Sequence, residues 1–387
     1  MKNLNYKELK RRFELDGAAK TVDHLSEALN QGQLCPEDFS FRDLAETVVE
    51  NGVDWVRSMD PRQGGGVLMT ESDGVDLSSF MNITGQIIFT KIRQAYENEA
   101  FVMSKAVNTI STQFSGEKIP GIGRIADEAM EIAPGMSYPN AGMTEEYTQT
   151  PETAKHGLIV PVTREAIFFD RTNLILRRAE EAGQALGLNK EKRILDCVLG
   201  ITNTYKFNGT DYNTYYSASD SAWINSISGN ELVDYTDVDK AEQLFAEMSD
   251  PTTGEPILIN PNMVLVMPAY RYAAAQVFLD GEVTFNPSSA ESVKTRNPLR
   301  KFTVMESALA YRRLVASGVE ASVAKKYWFM GDFKKAFAYM ENWPISLTRS
   351  ISHSDANFER DILVRYKASE RGVPAVLDPR YVVKCVG

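Results

Sequence analysis

The chain has 387 residues, of which 43% are hydrophobic and 24% charged, and it carries a formal net charge of −10. That is the composition of a soluble globular protein with a proper core and room for two or three domains. It fits poorly with a chain that grips nucleic acid as a whole, which calls for basic surfaces, although a local basic patch stays open.

Residues 1 to about 60 read as mostly polar helix, with Leu9 and Phe13, then Leu25, Ala28 and Leu29, then Leu44, Val48, Val49 and Trp55 at roughly helical intervals. The turn Cys35-Pro36-Glu37-Asp38 interrupts them, and such short amphipathic helices are expected to dock on something larger. Asp60-Pro61 and Gly64-Gly65-Gly66 mark a flexible break. A second helical block runs from about Leu77 to Ile110, through Ile83, Ile87, Phe89, Ile92, Tyr96 and Phe101. Gly116 and Pro120-Gly121 end it. Segment 120–161 is rich in proline, small and acidic residues, with strand-like ends at Arg124–Ile132 and Thr153–Val162. It reads as a long two-stranded excursion, and an isolated ribbon of that kind is marginal in water. Either it is a floppy loop or it lies on another subunit.

The stretch Val162–Gly200, VTREAIFFDRTNLILRRAEEAGQALGLNKEKRILDCVLG, organises the rest. Asp170 or Thr172 can cap a helix and Gly200 can end it. About 28 residues without proline lie between, so a continuous helix would span roughly 40 Å. Ile175, Ala179, Ala182 and Leu186 have the spacing of a buried face. A second stripe, Ala179, Gly183 and Gly187, is nearly bare. Each glycine costs up to ~1 kcal/mol against alanine inside a helix, and a second backbone packed close by is the simplest compensation. Arg177, Arg178, Glu180, Glu181 and Lys190 to Arg193 put mixed charge on the remaining faces. The stretch reads as scaffolding.

Beyond it, Tyr205 and Phe207 precede Asn208-Gly209, the strongest short hairpin signal, and Tyr212, Tyr215 and Tyr216 follow. Thr236-x-x-Asp239 resembles a capping box for a helix over Val238–Met248. A buried strand is expected at Met263–Met267, with a helix opening at Pro268. Further strands are expected at Phe302–Glu306, Tyr327–Met330, Ala336–Tyr339, Ile345–Arg349 and Phe358–Tyr366, and Ala375–Leu377 and Tyr381–Val386 end the chain apolar. Helices and strands mix without a βαβ rhythm, which makes the class α+β.

Signals of chemistry are weak. Cys35, Cys197 and Cys385 have no paired spacing, so neither a disulfide framework nor a zinc site is expected, and the setting is a reducing one. The N-terminus lacks the apolar stretch of a signal peptide, and no apolar run approaches the ~20 residues of a membrane helix. His24, His156 and His353 sit in no metal-binding spacing. Ser352-His353-Ser354-Asp355 holds the residue types of a hydrolase triad, but triad members come from distant chain positions and this is a polar turn. Gly121-Ile122-Gly123 is a fragment of a dinucleotide loop and reads as a turn. Asp127-Glu128 and Glu145-Glu146 lack the spacing of a calcium loop. Tyr212, Tyr215, Tyr216 and Trp223 read as loop packing before they read as a stacking platform. No enzyme signal survives, and no catalytic, cofactor or metal residues are assigned.

The segments AKHGLIVPVTREAIFFD, the long spine, YWFMGDFKKAFAYMENWPISL and FERDILVRYKASERGVPAVLDPRYVV stand in a recognisable order. Its most specific parts are Val162-Thr163-Arg164-Glu165, Gly331-Asp332-Phe333 and the FERD…R…ERG stretch. Over roughly residues 110–387 the chain resembles the HK97-fold major capsid proteins of tailed double-stranded DNA bacteriophages. The resemblance implies an N-terminal helical extension (1–60), an N-terminal arm and helical segment (61–119), and an extended β-loop (120–161). It further implies a peripheral domain with the spine helix (162–200 and 346–372) and an axial domain (201–345 and 373–387). Residues 1–60 would be either a scaffolding segment or a retained arm. The implied function is a non-enzymatic shell protein that self-assembles as hexamers and pentamers into an icosahedral capsid around packaged double-stranded DNA. Its partners would be its own copies, with portal, scaffold and decoration proteins; DNA is enclosed without sequence-specific binding, and no membrane is involved. The location would be the virion capsid, assembled in host cytoplasm. An encapsulin-like compartment shell and, from another class, a soluble oligomeric enzyme are the alternatives.

A loop that cannot stand alone is satisfied by lying over a neighbouring subunit, with charged pairs setting register. Arg124, Glu128, Glu145, Glu146, Arg164 and Glu165 are the candidate intersubunit contacts, against a competing reading as solvated charge. Ala179, Gly183 and Gly187 are the candidate close-packing residues of the spine. Deleting 125–158 is expected to leave a folded subunit that does not assemble.

Overall fold

The computed structural model describes residues 6–49, 51–59, 74–122, 145–203, 205–217, 223–250, 254–288, 291–351 and 361–387. The first half holds α1 (Tyr6–Asn30), α2 (Phe41–Val48), α3 (Gly52–Ser58), α4 (Gly74–Tyr96), the turn α5 (Met103–Ala106), β1 (Asn108–Ser111) and β2 (Lys118–Ile122). After β3 (Glu145–Gln149) and β4 (Ala154–Thr163) come the short helix α6 (Arg164–Phe168) and the long helix α7 (Thr172–Val198). The second half continues with β5 (Tyr205–Phe207), β6 (Thr210–Tyr212), β7 (Ser226–Ser228), α8 (Tyr235–Glu247), β8 (Met263–Val266), α9 (Arg271–Ala274), β9 (Glu282–Ser288) and β10 (Glu291–Arg296). It ends with β11 (Thr303–Glu306), α10 (Ala308–Ala316), α11 (Ala321–Ala324), β12 (Tyr327–Gly331), α12 (Phe333–Ala336), β13 (Phe337–Ile351), β14 (Ile362–Val376) and β15 (Val382–Val386). The class is α+β.

The chain divides into two units, one of Met1–Ala100, Lys155–Asn189 and Trp343–Arg371, the other of Phe101–Ala154, Lys190–Asn342 and Gly372–Gly387. In the first unit, Leu25, Leu29, Phe41, Leu44, Val48 and Val56 share one core with Ile83, Ile87, Ile92, Ile175, Leu186 and Tyr366. Leu25 to Val56 thus pack into this core, the docking expected of such short amphipathic helices. The start of α2 is tied to the start of α7: Ser40 Oγ accepts the Asp43 N–H and donates to Asp170, while Thr172 Oγ1 accepts the Phe41 N–H at 2.8 Å. Strand order here is β13-β14-β4. Val160 and Val162 of β4 enter the core while Ile159, just before them, stays exposed, the two-residue period of a half-buried strand.

Three expectations change here. The returning strand at Thr153–Val162 is part of a sheet, beside β14, and not one arm of an isolated ribbon. The two strands expected at Ala336–Tyr339 and Ile345–Arg349 are one, β13, which runs on through Pro344. The helical block expected to reach Ile110 stops at Tyr96, and Ile110 lies in β1. The Gly64–Gly66 break, the strand at Arg124–Ile132 and the Ser352–Asp355 cluster lie outside the described residues.

In the second unit the main sheet has the order β11-β8-β12-β15-β7. Strands MVLV and YWFMG are apolar throughout because both faces are covered. Val264, Val266, Trp328, Met330 and Cys385 point into one core, while Leu265, Phe329 and Val382 point into another. Gly331 ends β12 where a Cβ would lie 2.1 Å from the Tyr381 carbonyl oxygen, and the next N–H, of Asp332, donates to that same oxygen. No other residue fits there. A second sheet runs β2-β3-β5-β6 and a hairpin pairs β9 with β10. The capping box of α8 is Asp234 with Asp237, not Thr236 with Asp239; the Thr236 hydroxyl instead donates to Asp234.

Candidate assembly elements

Helix α7 is 27 residues long, about 40 Å at 1.5 Å per residue. It ends where Gly200 takes φ +71°, with Gly200 N–H donating to Cys197 O and Ile201 N–H to Asp196 O, the paired bonds of a glycine-terminated helix. In the first unit Ile175, Leu176, Ala179, Ala182 and Leu186 are buried. A Cβ on Gly183 would sit 2.3 Å from the Ile92 carbonyl oxygen and 2.9 Å from Ala95 Cβ, so the backbones of α4 and α7 touch at this point. Gly187, one turn on, is also buried. Beside this seam Lys91 hydrogen-bonds Glu37 and lies 3.9 Å from Glu180. That hydrogen bond to Lys91 holds the Glu37 carboxyl below its usual range.

The last turns of α7, in the second unit, work differently. Glu191 is 2% exposed, and its carboxylate accepts the N–H of Met103 at 2.7 Å, the N–H of Ser104 at 2.8 Å and the Ser104 hydroxyl at 2.5 Å. It thereby satisfies the free N–H groups that open α5. Arg193 donates to Gly372 O at 2.9 Å and lies over the Tyr339 ring, as Lys190 does at 4.3 Å. Asp196 takes Arg313 in a two-pronged pair, both distances 2.7 Å, which raises the guanidinium pKa. Sequence reading took 190–193 for surface charge. The available signal was the charged run Lys190-Glu191-Lys192-Arg193, set in a helix that turns apolar again at Ile194 and Leu195.

The excursion is rooted in the second unit. Strand β2 pairs antiparallel with β3 from Lys118 opposite Gln149 to Ile122 opposite Glu145. Strand β3 then pairs with β5, so the base is four strands wide and not an isolated ribbon. The Asn208-Gly209 hairpin supplies the extra strands. Asn208 and Gly209 take φ +47° and +82°, the left-handed pair this tight turn requires, and Asn208 exchanges two 2.9 Å hydrogen bonds with Tyr147. Trp223 backs the hairpin, with ring centroids 5.3 to 5.7 Å from Tyr216, Tyr212 and Tyr205. Burial raises the Tyr205 hydroxyl pKa.

Of the candidate contacts, Arg124 and Glu128 lie outside the described residues. Glu145 opens β3, and Glu146, half-buried, stands opposite Gly121. Arg164 and Glu165 open α6, where Thr163 caps the helix and the Arg164 N–H donates to Asp361 O. Glu165 is exposed in the first turn, where a carboxylate is favoured by the helix dipole. Glu145 and Glu146 belong to one unit, Arg164 and Glu165 to the other.

His24 is exposed on α1 and His156 lies half-buried in β4, while His353 is outside the described residues. Among the described residues no group of three or more His, Cys, Asp or Glu could hold a metal ion, and no helix is long and apolar enough to cross a membrane. Cys385 is buried, which pushes its thiol up to about 12, a pKa at which it is inert.

The family model described as phage capsid protein matches residues 146–385, well over half the chain, and the chain belongs to that family. It is a structural protein, a phage capsid protein, and its place is the virion capsid. No curated protein matches it in sequence. Similar solved structures include a Gordonia phage Cozz chain (14% identity, TM-score 0.44, covering 73% of this chain and 85% of that one). The capsid of a native GTA particle is similar at 11% identity and TM-score 0.43, covering 75% and 90%. A virus-like particle from Pyrococcus furiosus follows at 10% and 0.39, covering 77% and 98%.

Proposed function

We propose that the chain tiles an icosahedral shell as hexamers and pentamers, with the extended loop of residues 120–161 reaching towards a neighbouring copy. The supporting observation is the base of the excursion: the chain leaves at Ile122 and re-enters at Glu145, directly opposite each other in one antiparallel pair. Residues 120–161 serve as the extended loop, 162–200 and 346–372 as the peripheral domain, and 201–345 with 373–387 as the axial domain. Arg124, Glu128, Glu145, Glu146, Arg164 and Glu165 set register between copies, where charge governs specificity more than affinity. The shell encloses double-stranded DNA, and the net charge of −10 suits a wall that must not hold DNA during filling. Portal, scaffold and decoration proteins join it in the host cytoplasm. The protein performs no catalysis.

The test is a loop deletion. Because β3 and β4 both belong to sheets, the deletion considered from sequence, 125–158, would remove core strands. Replacing 125–142 with a short glycine-serine bridge keeps them. The expected outcome is a soluble subunit with unchanged melting temperature that forms no shells by electron microscopy, while the full chain does. Normal shells from the shortened chain would refute the role of the loop.

A further inference from the structure

We infer that the second unit carries a phosphate-binding pocket built on the segment Val293–Lys301, a site that does not depend on the shell reading. The segment, VKTRNPLRK, holds Lys294, Arg296, Arg300 and Lys301 and no acidic residue, in a chain whose net charge is −10. Arg296, Asn297, Pro298, Arg300 and Lys301 line a surface recess of about 670 Å³. It is open to solvent, so an anion can reach the cations that line it.

The frame is rigid and the cations are available. Asn297 is buried, and its side chain is committed to the fold: Nδ2 donates to Val277 O and Asp280 O, and Oδ1 accepts the Leu299 N–H. The single 3-10 turn Pro298–Lys301 that follows places Arg300 and Lys301 together at its end. Lys301 is paired with Glu242 at 2.8 Å. Arg296 and Arg300 are exposed and form no ion pair among the described residues, although Glu282 stands opposite Arg296 in the β9–β10 register. One guanidinium suffices for one carboxylate, as Arg313 with Asp196 shows. Two unneutralised guanidinium groups around one recess instead match a group of charge −1.5 to −2 with three acceptor oxygens, which is a phosphate. Phosphate can come from a free phosphate compound or from a DNA backbone, and the experiment separates these sources.

The probes are pyrophosphate and a short DNA duplex, titrated calorimetrically into the full-length chain at low salt. Pyrophosphate is expected to bind, and Arg296→Gln with Arg300→Gln to weaken it at least tenfold, since each lost charge-assisted hydrogen bond removes about that factor. The control, Arg177→Gln with Arg178→Gln, removes the same charge from exposed positions on α7 and is expected to leave binding unchanged. All four side chains are exposed, so melting temperatures should match the unsubstituted chain. A duplex that competes with pyrophosphate identifies the DNA backbone as the source, and one that does not identifies a free phosphate compound. The assignment is overturned if pyrophosphate does not bind, if both double variants weaken it equally, or if citrate binds as tightly.

Discussion

The two ends of α7 hold their surroundings by opposite means. Up to Asn189 the helix is stripped bare: Ala179 and Gly183 let α4 approach until a carbonyl oxygen occupies the space a methyl group would need. From Lys190 onward it is charged, and the charges are used: Glu191 caps α5, Arg193 holds a carbonyl, and Asp196 pairs with Arg313. The first is stabilised by close contact and removal of apolar surface from water. The second is stabilised by satisfying polar groups that have lost their water. One continuous helix can do both because its hydrogen bonds are internal, which leaves each turn's side chains free to suit a different neighbour.

Four substitutions test that contrast, with distinct outcomes. The largest effect is expected for Glu191→Ala, which strands two backbone N–H groups at the start of α5 and should cost about 3 kcal/mol in urea unfolding. Glu191→Gln, which retains one acceptor oxygen, should cost less. Next is Gly183→Ala. Helix propensity alone favours alanine by up to ~1 kcal/mol, but a Cβ held 2.3 Å from Ile92 O forces α4 and α7 apart. Overpacking of that kind costs about 1–3 kcal/mol, so the net sign should be destabilising. A stabilised Gly183→Ala would show that the two backbones do not meet.

The smallest effect concerns pH. The Glu37 carboxyl is depressed by its hydrogen bond to Lys91, so the folded form holds its proton less readily than the unfolded chain, whose value is near 4.5. Its contribution is present above that value and is lost as the pH falls through the folded one. Glu37 is half-exposed and screened, so the effect is well under 1 kcal/mol. Comparing unfolding midpoints at neutral and acidic pH, Lys91→Met should show a shallower decline than the unsubstituted chain. An identical decline would remove Lys91 as the cause.

Some of this was legible in residue order. The 3.6-residue stripe and Gly200 placed α7 almost to the residue, because helix period and a left-handed terminus are local properties. The Asn208-Gly209 turn was equally plain. Its partner was not: β5 completes the base of the excursion by pairing with β3, more than fifty residues earlier, and no local pattern announces that. The candidate contacts illustrate the same limit. Charge and position nominated Glu145, Glu146, Arg164 and Glu165, yet Glu191, whose carboxylate fastens one element to another, looked like any solvated glutamate.

By itself, then, the sequence determined the α+β class, the spine, the tight hairpin and the family resemblance that residues 146–385 bear out. These rest on short-range periodicity, turn chemistry and the order of segments. Tertiary structure alone decided which strand lies beside which, that β13 runs through Pro344, and that residues 25–58 belong to a core shared with the spine. Pairing and burial depend on surfaces brought together from far along the chain. A side chain's role follows from what covers it, and only the folded chain supplies the cover.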